Sequence, residues 1–137
     1  MSGYARAAHT LGATVTGSDK ALTPYLRRLR EEGVIASPCI GHDAANVPEG
    51  DDIEVIYSSA VPAENPERLA ARERGVAERP RAELLGELTA LRRTIAVAGA
   101  HGKTTTSSMI VHVLREQGVD PSWLVGSSVG AGLPNSH

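Results

Sequence analysis

Lys103 and Thr104 stand directly behind Gly99, Ala100, His101 and Gly102, and Thr105 and Thr106 extend the hydroxyl run. This grouping suits a polyphosphate. Glycines at 99 and 102 let the backbone take φ > 0 and bring its N–H groups up to an anion with no Cβ in the way. A helix starting just behind them adds further donors and a partial positive charge. In such a loop Lys103 reaches the β- and γ-phosphates, and the Thr104 hydroxyl stands where a Mg²⁺ ligand belongs. The general pattern G-x-x-x-x-G-K-[ST] asks for glycine where this chain has Val97, so the loop is a shortened form, G-x-x-G-K-T. A plain glycine turn between a strand and a helix is the competing reading, and the flanking elements decide for a nucleotide.

Those elements must position the loop. The apolar run Thr94-Ile95-Ala96-Val97-Ala98 predicts a buried parallel strand, and Met109, Ile110, Val113 and Leu114 predict one face of a helix that Gly118 closes. Earlier in the chain the same grammar recurs. An alanine-rich helix carries Ala5, Ala8 and Leu11 on one side and stops at Gly12, and Val15 opens a short strand ending at Gly17-Ser18-Asp19. Thr23-Pro24 is a cap followed by a first-turn proline, with Leu22, Leu26 and Leu29 as the stripe of the helix behind it. Val34-Ile35-Ala36 is a candidate strand before the loop Gly41-His42-Asp43. Ile53, Val55 and Ile56 predict a buried strand that emerges into Ser58-Ser59-Ala60, the end at which open α/β sheets hold ligands. Asn65-Pro66-Glu67 repeats the cap, Val76-Ala77 is a short strand, and Leu84, Leu88 and Leu91 mark a helix leading to a junction at Arg92-Arg93. Beyond the loop, Trp123-Leu124-Val125 starts another strand, with nothing expected to close this second sheet.

The shortened loop with His101 inside it resembles the Mur ligase family of peptidoglycan synthesis, with Ala100 where those enzymes more often have threonine. Gly17-Ser18-Asp19, Gly41-His42-Asp43, Ser58-Ser59-Ala60, Asn65-Pro66-Glu67 and Arg81-Ala82-Glu83 are similar to the branch that adds the first amino acid. The likeness runs over essentially the whole chain. It implies an α/β fold: a Rossmann-like parallel-sheet domain over 1–92 that binds the UDP-sugar, followed over 93–137 by the start of a P-loop ATP-binding domain. It further implies that Met1-Ser2-Gly3 is the tail of a glycine-rich GIGGIGMSG turn, so that the first strand is missing and the chain is a fragment, inactive alone. Substrates on this reading are UDP-N-acetylmuramate and L-alanine, joined through an acyl phosphate in a cytoplasmic enzyme.

The cofactors implied are ATP and Mg²⁺. Gly99, Ala100, His101, Gly102, Lys103, Thr104 and Thr105 would hold ATP, with Lys103 and Thr104 catalytic and Thr104 also the metal ligand. Ser18, Asp19, His42, Ser58, Ser59 and Ala60 would bind substrate. Asp19 and the two serines read equally well as turn residues. The remaining metal ligands and the alanine site would lie beyond His137. Two alternatives stay open: a related ligase that attaches a recycled peptide, and a nucleotide-binding module without catalysis.

Composition narrows the classes. With 137 residues, 41% hydrophobic and 22% charged, the chain is of ordinary globular make-up. A formal net charge of -2 and 3% aromatics speak against a nucleic-acid binder. No apolar run reaches membrane-spanning length and the start lacks a signal-peptide pattern. The single Cys39 has no internal disulfide partner, and with His42 alone it makes a poor zinc site.

Overall fold

The computed structural model describes residues 1–130 and 133–137. Its elements run α1 (Ser2–Thr10), β1 (Ser18–Asp19), α2 (Pro24–Glu31), β2 (Cys39–Ile40), a 3-10 turn (Ala44–Asn46), β3 (Glu54–Tyr57), α3 (Pro66–Glu73), β4 (Ala77–Pro80), α4 (Arg81–Ala90) and α5 (Lys103–Glu116). The strands pair in parallel, as expected for strands joined by helices. They form two separate ladders, β1 with β2 and β3 with β4, rather than one sheet.

Local chemistry sets the helix starts. The Thr23 hydroxyl accepts from Leu26 N–H at 3.2 Å, and Asn65 Oδ1 accepts from the N–H groups of Glu67 and Arg68 at 3.0 and 3.3 Å. In both, proline occupies the next position, where its missing N–H costs nothing. The first core joins Leu26 and Leu29 of α2 to Val34 and Ile35, with Ala5 and Val15 packed against them. α1 lies against both α2 and α4.

Several expectations need correction. Val34 and Ile35 are buried as anticipated, but they sit in a bend after α2, and the strand falls at Cys39–Ile40 instead. Burial there comes from packing on α2, which needs no ladder. The run Thr94–Ala98 forms no strand among the described residues, and Ile95 is 68% exposed. A strand exists only where its N–H and C=O groups meet a partner, and none is paired there. Leu22, Leu11 and Leu91 also lie exposed, outside the stripes assigned to them.

On α5 the buried residue is Val111, whereas Met109 and Val113 face solvent. Val111 joins Trp123, Val125 and Val129 in a second core, with Leu133 against it. The segment Trp123-Leu124-Val125 forms no strand among the described residues; it meets residues 135–137 in an isolated antiparallel bridge, where Trp123 and His137 exchange N–H···O bonds at 2.9 and 3.0 Å and Val125 N–H donates to Asn135 O at 2.8 Å. Residues 131 and 132 of the glycine-rich stretch lie outside the described residues.

Candidate functional site

The turn into α5 has the backbone that an anion loop needs. Gly102 caps the helix in the left-handed region at φ 78, ψ -6, and Gly99 has φ 152. An L side chain at Gly102 would pay the steric cost of that region. Lys103 opens the helix and folds its ammonium back on the loop, donating to Gly99 O at 2.6 Å and Ala100 O at 3.1 Å. The ammonium, though exposed, is thus tied to the loop by two hydrogen bonds. Ala100, His101, Lys103, Thr104 and Thr105 are all exposed, so the loop is open to a ligand. A Cβ built on Gly126 would come within 3.9 Å of Thr104 Oγ1, which shows that the Thr104 hydroxyl faces the segment leaving the second core. The donor set, one ammonium, one hydroxyl and the free N–H groups of a helix start, fits a Mg²⁺-polyphosphate.

The closing segment also reaches α1. Arg6 Nη1 donates to Asn135 Oδ1 at 2.8 Å and Ser136 Oγ at 3.3 Å, and Asn135 Nδ2 donates to Ser2 Oγ at 3.1 Å. Contact is close enough that a Cβ on Gly3 would stand 2.2 Å from Leu124 Cδ1. Asn135 and Ser136 thus fasten residues 135–137 to the start of α1.

A second site lies at the carboxyl ends of β1, β2 and β3. There Lys20, His42, Ala60, Val61, Pro62, Glu64, Asn65 and Pro66 line an open cleft of about 290 Å³. Of the residues expected to meet substrate, His42 and Ala60 line this cleft. Ser18 stands behind His42, its Oγ 3.3 Å from Nδ1. Asp19 Oδ1 is engaged by Lys20 N–H at 2.7 Å, and Ser58 Oγ accepts from Ala60 N–H at 3.4 Å, so both side chains serve the turns that follow their strands. Ser59 is exposed in the same turn. The amino group of Met1 marks how near the start of α1 comes: burial first, and then the charge of Arg81, lower its pKa, while Asp19 acts the other way.

Three residues of this site were not singled out from sequence. Lys20 brings a cation to the cleft wall. Glu67 and Asn46 stand behind it, with Glu67 Oε2 accepting from Ser18 Oγ at 2.8 Å and Oε1 accepting from Asn46 Nδ2 at 2.7 Å. Glu67 was visible only as part of the Asn65-Pro66-Glu67 likeness, since a glutamate in a first helical turn is commonplace.

Below the cleft, Arg68 lies 3.6 Å over the Tyr57 ring and pairs with Glu78, which Arg72 also holds at 2.7 Å. Burial alone would raise the Glu78 carboxyl, but the hydrogen bonds of Arg72 and Arg68 outweigh it and keep the pKa below the ordinary value. Among the described residues no three His, Cys, Asp or Glu side chains gather to hold a metal, and no helix is long and apolar enough to cross a membrane.

Parallel strands with a cleft at their carboxyl ends and a glycine loop opening a helix define an α/β protein. Comparison with known proteins makes the assignment narrower. The family described as "Mur ligase family, catalytic domain" matches residues 1–93, and the chain belongs to the Mur ligase family. UDP-N-acetylmuramate--L-alanine ligase of Acidovorax sp. (strain JS42) is 48% identical over 136 residues, 99% of this chain and 28% of that protein. The enzyme of the same name from Dechloromonas aromatica is 46% identical over 137 residues, 100% of this chain and 29% of its own length. The crystal structure of UDP-N-acetylmuramate-alanine ligase MurC from Thermotoga maritima superposes with a TM-score of 0.90 at 29% identity, covering 100% of this chain and 32% of that one. The chain thus spans less than a third of the relatives it matches.

Proposed function

We propose that this chain carries the UDP-sugar cleft, over 1–92, and the phosphate loop, over 93–137, of a cytoplasmic ATP-dependent ligase that joins L-alanine to the carboxylate of UDP-N-acetylmuramate in peptidoglycan synthesis. The observation that carries this reading is the pairing of an open cleft at the strand ends with a lysine-bearing loop, in a chain 48% identical to a ligase of that name.

The chemical obstacle is a carboxylate, whose charge and poor leaving group resist attack by an amine. ATP with Mg²⁺ supplies the phosphoryl group that makes it an acyl phosphate and so an electrophile. The chain's own part is binding and placement. Gly99 and Gly102 turn backbone N–H groups toward a phosphate, Lys103 brings a fixed positive charge, and the Thr104 hydroxyl serves the metal. Lys20 and His42 face the UDP-sugar across the cleft.

Lys103→Ala should weaken Mg²⁺-ATP binding by about 10- to 100-fold, the loss of a charge-assisted contact. Thr104→Ala should weaken it only in the presence of Mg²⁺. Near-native affinity in both variants removes the phosphate-loop assignment. In the full-length ligase that contains this chain, phosphate release with ATP and UDP-N-acetylmuramate should be driven by L-alanine and much less by a tripeptide. The reverse preference would move the protein to the ligase that recycles peptides.

A further inference from the structure

Glu67 lies at the meeting point of four elements. Its carboxylate accepts hydrogen bonds from Ser18 at the end of β1 and from Asn46 in the 3-10 turn, and its Oε2 lies 3.4 Å from Nδ1 of His42 after β2, while Glu67 itself belongs to the first turn of α3. Its side chain is only 16% exposed and that of His42 21%. A half-buried carboxylate with every oxygen occupied is costly unless its partners are fixed.

The proton count in this cluster determines the histidine. Ser18 has one hydroxyl proton and gives it to Glu67 at 2.8 Å. An ionised carboxylate only accepts. The 3.3 Å contact between Ser18 Oγ and His42 Nδ1 must then be an N–H donated by the imidazole, and the same proton points toward Glu67. Neutral His42 therefore carries its proton on Nδ1. Nε2 is left as an acceptor, without a hydrogen-bond partner among the described residues, on a ring that lines the cleft.

We infer that Glu67 is a positioning residue for the UDP-sugar cleft: acting through Ser18, it fixes His42 as the Nδ1–H tautomer so that Nε2 accepts a hydroxyl or N–H of the ligand. This rests on the cleft reading proposed above. The carboxylate does not touch the ligand; it decides which face of the imidazole the ligand meets.

Glu67→Gln tests this at constant shape. Asn46 Nδ2 is also committed to Gly41 O at 3.0 Å, so it cannot readily turn away, and the new amide must present its oxygen to Asn46 and its NH₂ to Ser18. Ser18 then accepts from the amide and gives its own proton to His42 Nδ1, which moves the imidazole proton to Nε2 and turns an acceptor into a donor. In ¹⁵N spectra of the 137-residue chain near pH 8, His42 should be Nδ1–H in the wild type and Nε2–H in Glu67→Gln. The same tautomer in both overturns the inference, whatever happens to stability.

A double-mutant cycle on UDP-N-acetylmuramate affinity is the second reading. Glu67→Gln and His42→Ala should each weaken binding about tenfold, and the double variant should be no weaker than His42→Ala alone. Penalties that multiply show that Glu67 acts apart from His42, as a bracket between ladders, and overturn the proposal. The same cycle with UDP alone locates the ligand's donor: coupling retained places it on the nucleotide, coupling seen only with the full ligand places it on the sugar. In the full-length ligase that contains this chain, absence of any UDP-N-acetylmuramate binding to the wild type overturns the cleft reading itself and this inference with it, whereas wild-type binding with an unchanged Glu67→Gln overturns the inference alone.

Discussion

Gly102→Ala isolates the conformation of the phosphate loop from its contacts. At φ 78 and ψ -6 the residue sits in the left-handed region, and a Cβ there would meet nothing closer than Thr106 Oγ1 at 4.0 Å. The substitution therefore creates no clash with a neighbour, and its whole cost is backbone strain of about 1–2 kcal/mol. Gly118 supplies a control with a like positive φ of 76 and open space around it, just beyond the far end of α5. Both Gly→Ala variants should lower the stability of this part of the chain equally. Only the loop variant should weaken Mg²⁺-ATP, because relieving the strain turns the N–H groups of residues 102 and 103 away from the phosphate. If the strain is taken from binding, the loss is about 5- to 30-fold. Gly102→Asn, which tolerates the left-handed region, should recover most of it. Calorimetric titration of the variants with Mg²⁺-ATP, beside their thermal unfolding, gives both quantities. Equal nucleotide affinity in Gly102→Ala and Gly118→Ala would refute the claim that this turn shapes an anion site.

Asn65→Ala removes the cap of α3, whose Oδ1 serves two N–H groups, in a residue only 6% exposed. Thermal unfolding should show a loss of about 1–2 kcal/mol, and a change below a few tenths would mean that Pro66 alone holds the helix start. Glu78 makes acid stability pH-dependent. Its folded pKa lies below the ordinary 4.5, so its contribution is present above that value and disappears as the pH falls through the depressed one. Glu78→Gln should flatten the acid limb of stability followed by circular dichroism, and an unchanged limb would show that Arg68 and Arg72 do not hold it in solution.

Legibility from sequence followed the range of the interaction. The starts of α2 and α3 could be read because cap, proline and first turn lie within four residues, and the glycine loop because its geometry is local. Strands were harder, since a strand is defined by a partner elsewhere. Val34-Ile35 and Thr94–Ala98 have the composition of buried strands, yet one packs as a bend on α2 and the other pairs with nothing described. Met109 and Val113 satisfy a helical period, but Trp123 and Val125 pack on the face of Val111 instead. The Glu67 cluster was illegible for the same reason: its members are 49 and 21 residues away from it in the chain.

The central claim, two ligands held by two parts of one chain, is tested most directly by mapping amide shifts in ¹⁵N-labelled protein during separate titrations with UDP-N-acetylmuramate and Mg²⁺-ATP. The account predicts that the UDP-sugar moves Lys20, His42 and the turn from Ser58 to Asn65, and that the nucleotide moves residues 99 to 105. UDP-sugar shifts confined to the phosphate loop, or none at the cleft, would contradict it.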